Sequence, residues 1–150
     1  MKLIKTATVC LLLLVFADAL FAQAKKTTVK SKSASAAPSA ASMAAGKKVY
    51  STICISCHQA DGGGVPNMNP PLIKTTYVLG NKSKLISILL NGFNENVEIN
   101  GNTYSNTMPS QDFLKDQEIA DVLTYVRNSF GNKASAVTVA EVKKGRAAKK

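Results

Sequence analysis

The sequence predicts a small all-α domain, and two observations carry that expectation. Three segments, over 44–52, 82–91 and 116–130, place apolar residues at helical spacing. The strand-like stretches are short: Val97-Glu98-Ile99 and Thr103-Tyr104 flank Asn100-Gly101, a favoured pair for a tight turn, and make a minor ribbon at most. A chain of 150 residues has room for one domain of modest size.

Residues 1–24 read as a secretory signal peptide. Lys2 and Lys5 precede a strictly apolar run over 9–16, and small residues follow, ending Ala22-Gln23-Ala24, with cleavage after Ala24. The competing reading is an uncleaved leader that tethers the chain to a membrane. The apolar run is only eight residues, and Asp18 interrupts its continuation, whereas a spanning helix needs about 20. Cys10 lies inside this leader, with Val9 before it where a lipoprotein site would want a small residue, and is read as leader packing. Residues 25–43, mostly Ala, Ser, Lys and Thr with one proline and no apolar periodicity, read as a flexible linker.

The first helix, over 44–52, has Ser42 as its expected N-cap. Val49 and Ile53 share one face, and Gly46 and Tyr50 an adjacent one. A glycine inside a helix costs about 1 kcal/mol against alanine. Close approach of another helix, packed beside Tyr50, would offset that cost. The stretch Asp61-Gly62-Gly63-Gly64-Val65-Pro66-Asn67 is a loop, and Asn69-Pro70-Pro71-Leu72 continues it as extended chain. In the helix over 82–91, Ser83 is the expected cap, Leu85, Ile86, Leu89 and Leu90 form the apolar face, and Gly92 is a natural stop. The last helix, over 116–130, has Ile119, Val122, Leu123, Val126 and Phe130 at helical spacing and Asp116 and Glu118 in its first turn. Gly131 ends it, and Ala120 or Tyr125 could meet Gly46. Residues 133–150 read as a short strap and a frayed basic C-terminal tail.

Between the first helix and its loop stands Cys54-Ile55-Ser56-Cys57-His58, the haem c attachment pattern. Each sulfur adds to one of two neighbouring vinyl groups, and the two-residue gap makes a turn that reaches both. His58 then lies under the iron as the proximal axial ligand. A thioredoxin-like redox pair would sit in a βαβ context, which is absent from the pattern, and structural zinc needs four ligands. Cys10 is the sole further cysteine and His58 the sole histidine, so zinc lacks partners. A bonded, apolar cofactor would also supply packing that so small a core is short of. The loop after His58 can bring a backbone carbonyl to the free Nδ1, the support that a metal-bound histidine usually has.

Met108-Pro109 is the second candidate site. A thioether is a soft, weak ligand that favours reduced iron, and with one histidine in the chain a bis-histidine centre is excluded. The competitors are Met43, Met68 and an open position. Met43 precedes the first helix, and Met68 is ten residues after His58 on that residue's own supporting loop. Met108 follows fifty residues on, in a loop stiffened by Pro109 between two helices, which can cross to the other haem face.

Net charge is +10, but its distribution decides more. Over 44–131 six lysines and one arginine meet seven acids, so the basicity belongs to the flanks. A nucleic-acid module would carry its charge on the folded face; nucleic acid is therefore not an expected partner. Flanking arms worth +9 suggest weak contact with anionic membrane surfaces instead.

Over 44–132 these residues resemble the class I c-type cytochromes. The likeness rests on Gly46 with Tyr50, Cys54 to His58, Asp61-Gly62-x-Gly64, Pro70-Pro71-Leu72, Gly92, Gly101 with Tyr104, Met108-Pro109 and the run over 118–127, in that order. The stretch over 131–142 is similar to the tails of periplasmic bacterial members. The resemblance implies N- and C-terminal helices that cross near a right angle at Gly46. It further implies that Pro70 offers its carbonyl to His58, and that the all-α fold encloses one haem c. Lys115 departs from the family's small polar N-cap. The expectation is a monomeric, exported electron carrier of the bacterial periplasm, not an enzyme, with one haem on Cys54 and Cys57, His58 and Met108 as axial ligands, and redox proteins as partners. The alternative is a haem-bearing electron-transfer subunit of a periplasmic dehydrogenase or respiratory complex. A peroxidase would need an open distal position and an acid-base residue there.

Overall fold

The structure, a computed structural model, describes residues 37–149. The expected signal peptide and the linker up to residue 36 lie outside the described residues. Helix α1 spans Ala40–Val49, and its cap is Ser39, whose Oγ accepts from the Ser42 N–H at 3.1 Å. Order therefore begins before residue 44. Ser42, the expected cap, has another partner: its Oγ donates to Asp121 Oδ1 at 2.5 Å. A π-helical turn, Tyr50–Cys54, follows without a break, and α2 spans Ile55–His58.

After the loop come α3 (Thr76–Leu79), capped by the Thr75 hydroxyl, and α4 (Lys82–Asn91). Asn81, rather than Ser83, caps α4: its Oδ1 accepts from the Ser83 and Lys84 N–H groups. The expected apolar face holds, with Leu85, Ile86, Leu89 and Leu90 all buried. The minor ribbon pairs β1 (Val97–Ile99) with β2 (Asn102–Tyr104), antiparallel, Val97 opposite Tyr104.

Helix α5 spans Asp116–Asn128 and buries Ile119, Val122, Leu123 and Val126. Lys115 offers no side-chain cap, and the Glu118 carboxylate compensates by accepting from the Lys115 N–H at 2.8 Å. The helix stops two residues short of Phe130, which takes a left-handed φ of 57° before Gly131 at 75°. That turn lays the Phe130 ring against Tyr50 and Tyr125, with centroids 5.2 and 5.7 Å away. α1 packs on α5 at Gly46. A Cβ there would overlap the Asp121 carbonyl oxygen and stand 2.7 Å from Tyr125 Cβ, so of the two candidate neighbours it is Tyr125 that the glycine meets.

The expected frayed tail is corrected: α6 spans Val139–Ala147. Thr138 caps it, its Oγ1 accepting from the Glu141 N–H while Glu141 Oε2 accepts from the Thr138 N–H at 2.7 Å. Val137 and Val142 are buried, and Gly145 lets α6 settle on α4, where a Cβ would come within 2.7 Å of Ile86 Cγ2. Lys82 Nζ ties the near end through Glu141 and the Ala136 carbonyl. Residues 133–138 run beside α5, where Thr124 Oγ1 accepts from the Val137 N–H and Arg127 Nε donates to Ser135 O. With Val142 buried and Val139 only partly so, α6 carries too weak an apolar pattern to announce itself in sequence. Arg146 and Lys149 pair with Asp116 and Asp112, so the tail is not a free basic arm either.

Candidate cofactor site

The π-turn sets the site. Its closing bond runs from the Ile55 N–H to the Tyr50 carbonyl, five residues back. One residue extra in a turn rotates every later side chain by about 100°. A regular helix would have continued the Gly46–Tyr50 line, the face packed on α5, towards Cys54. With the extra residue, Cys54, Cys57 and His58 instead reach the wall of a cavity of about 150 Å³. Packed interiors leave few voids larger than a water molecule. Val78, Leu85, Leu89, Val122 and Val126 make the apolar walls, and Glu95 is the one charged residue lining them.

His58 Nδ1 lies 3.0 Å from the Pro70 carbonyl oxygen. A carbonyl only accepts, so Nδ1 carries the proton and Nε2 keeps its lone pair. Burial pushes the His58 pKa below the ordinary histidine value, against the opposing effect of the Pro70 bond, and so favours the neutral imidazole that ligates metals. Burial, and then the neighbouring Cys57, push the Cys54 thiol up to about 11. A charged thiolate is thus disfavoured at that wall, whereas a thioether, which has no proton to lose, is suited to it.

Glycine lets Pro70 come this close. Gly64 has φ 69°, and a Cβ on it would overlap the Asn69 carbonyl oxygen and stand 2.7 Å from the Pro70 carbonyl. The Gly64 N–H donates to His58 O, Val65 and Asn69 pair as a bridge, and the Leu72 N–H donates to Gly62 O at 2.7 Å. Asn132 then ties the loop to the end of α5. Its Nδ2 donates to Leu72 O and Val126 O, and its Oδ1 accepts from the Lys74 N–H. Asn132 carries no helical or motif signal in the sequence beyond its place after Gly131.

Met108 lines the same cavity, half-buried, its backbone paired both ways with Phe93 at 2.7 and 2.9 Å. Gly92, expected only as a helix stop, has a second duty. With φ 77°, a Cβ on it would stand 2.6 Å from Met108 O and 2.9 Å from Ser110 N. Met43 lies within α1 and Met68 is half-exposed on the His58 loop, and neither lines the cavity. Among the described residues no cluster of three or more His, Cys, Asp or Glu side chains could hold a bare metal ion. The residues do fit an apolar macrocycle anchored by two sulfurs, with an imidazole lone pair and a thioether in reach of the same space. None of the described helices is long and apolar enough to cross a membrane.

Comparison with known proteins agrees with this chemistry. The cytochrome c family model matches residues 43–130. The chain is 36% identical over 119 residues to cytochrome c-552 of Thermus thermophilus, covering 73% of this chain and 80% of that one. It is 37% identical over 104 residues to the cytochrome c subunit of a quinone alcohol dehydrogenase from Gluconacetobacter polyoxogenes, a match of 66% of this chain but 22% of that subunit. The gluconate 2-dehydrogenase cytochrome c subunit of Pantoea cypripedii is 32% identical over 99 residues, again over 22% of its length.

Proposed function

The chain belongs to the cytochrome c family, and on that premise we propose that Cys54 and Cys57 attach its haem while His58 and Met108 ligate the iron. It is a class I c-type cytochrome, an electron-transfer protein rather than an enzyme, with one covalently attached haem c. The haem supplies a one-electron ferric/ferrous couple. Pro70, through its carbonyl, orients the His58 ring and fixes its tautomer. The apolar walls exclude water, and Met108 biases the couple towards the reduced state. One observation carries the ligand assignment: of the described methionines, only Met108 reaches the wall that His58 shares.

The crossing of α1 and α5 near a right angle at Gly46 belongs to the same reading, as does a haem held in the core between them. So do removal of residues 1–24 as a leader, work in a bacterial periplasm within a respiratory chain, a monomeric state, and redox proteins as donor and acceptor. The similarity to dehydrogenase cytochrome subunits favours a second reading, in which the chain serves as the electron-transfer subunit of such an enzyme. Copurification with a large catalytic chain separates the two.

Met108→Ala tests the ligand set. The variant should take up carbon monoxide readily when reduced and titrate at a lower potential, while Met68→Ala and Met43→Ala should change neither. Carbon monoxide uptake after Met68→Ala, with Met108→Ala unchanged, would overturn the assignment.

A further inference from the structure

The seven residues after Met108 are tied to two helices. Ser110 Oγ donates to Leu90 O at 2.8 Å, and the Gln111 N–H donates to Leu89 O at 2.7 Å, so two end carbonyls of α4 hold the loop from below. The other ties come from Arg146 in the last turn of α6 and from Lys149, two residues beyond its end. Lys149 Nζ donates to Leu90 O at 2.9 Å and to Asp112 Oδ2 at 2.6 Å. Arg146 spreads its three nitrogens over Asp116 Oδ1, Asp112 O and Leu114 O, at 2.8, 3.0 and 2.8 Å. Leu90 O thus accepts from the loop and from Lys149 at once, and a guanidinium fork spans the chain between Asp112 and Asp116.

α6 is in turn firmly seated. Its first turn has the Thr138–Glu141 box and the Lys82 ties, Val142 is fully buried, and Gly145 lies against Ile86 and Leu90. A thioether is a weak ligand whose bond to ferric iron depends on being presented without an entropic cost. We infer that α6 and the residues just after it brace the Met108 loop, with Arg146 and Lys149 as positioning residues that keep the sulfur on the iron. The inference rests on Met108 being that ligand.

Imidazole entering the ferric haem protein must wait for the sulfur to leave, so its uptake rate reads the brace directly. With Arg146→Ala and Lys149→Ala together, uptake should quicken tenfold or more under conditions where the chain stays folded. The sulfur-to-iron charge-transfer band should weaken, and the Met108 amide, bonded to Phe93 O, should exchange hydrogen faster by a similar factor. Lys149→Arg, which keeps a cationic donor facing Leu90 O and Asp112 and leaves the Arg146 fork in place, should keep most of the slow rate. Ser42→Ala, which removes the Ser42–Asp121 bond between α1 and α5, is the stability control and should leave uptake unchanged. An unchanged rate in the double variant, or an equal rise in Ser42→Ala, would overturn the brace. Should the double variant fail to fold, Lys149→Met alone carries the test with a smaller rise. Met108→Ala separates this failure from that of the ligand assignment: if it leaves imidazole uptake unaltered, the assignment has failed, and hydrogen exchange over 105–115 then decides whether α6 braces the loop.

Discussion

Residues 59–74, which follow His58, are tied largely to themselves: Gly64 to His58, Val65 to Asn69, Leu72 to Gly62, and the Pro70 carbonyl back to the His58 ring twelve residues earlier. Residues 105–115, which carry Met108, lean on distant chain, through Phe93, the end of α4, and α6 more than thirty residues downstream. The imidazole's support thus closes over a short loop, at little entropic cost, while the thioether's support requires that α4 and α6 dock first. On this arrangement the His58 side is the more autonomous half, and the Met108 side answers to changes elsewhere in the fold.

The largest expected effect comes from a matched pair of glycine changes. Gly64→Ala and Gly92→Ala each put a methyl group into a packed carbonyl at left-handed φ, and each should cost about 3 kcal/mol in denaturant unfolding. Their spectra should part company. Gly92→Ala should open the reduced iron to carbon monoxide, whereas Gly64→Ala should keep it closed while disturbing the His58–Pro70 bond. Identical carbon monoxide behaviour in both would break the division between the two sides.

Asn132→Ala should cost about 2 kcal/mol, because it strands the buried carbonyl of Val126 and the half-buried one of Leu72. Its side chain joins the His58 loop to the end of α5 and has no bond to the Met108 loop, so the sulfur-to-iron charge-transfer band should survive at full strength below the lowered melting temperature. Loss of that band would mean that the halves are coupled.

The smallest effect sharpens the Met108 side through pH. The Lys149 hydrogen bond, joined by Ser110, holds the Asp112 carboxyl below its ordinary value of 3.8. The unfolded chain therefore binds that proton more readily than the folded one. The stability that Asp112 adds is present above the ordinary value and is lost as pH falls through the folded one. In acid unfolding the advantage of the wild type over Asp112→Asn should be complete near neutrality and fade below about pH 4. An advantage that persists into strong acid would show that charge is not its source.

The local signals in the chain were sufficient for much of this. The Cys54-Ile55-Ser56-Cys57-His58 run, the proline-bearing loop after it, the stripes of α4 and α5 and the Asn100-Gly101 turn all express interactions between residues near in sequence, and each lies where the pattern puts it. The Lys115 start of α5 was legible as a weak cap, but not its rescue by Glu118.

Sequence alone thus determined a helical domain and its cofactor and singled out Met108 as the expected second ligand, because attachment chemistry, helical periodicity and the place of Met108-Pro109 between two helices are all readable along the chain. The tertiary structure decided what depends on meeting partners far along the chain. It placed Met108 rather than Met43 or Met68 on the cavity wall, shifted the helix phase at Tyr50–Cys54, gave Gly92 its contact with Met108 and folded the supposed tail into α6. A glycine or a lysine looks the same in sequence whether it meets solvent or another helix, and only the packed chain supplies the neighbour that gives it a role.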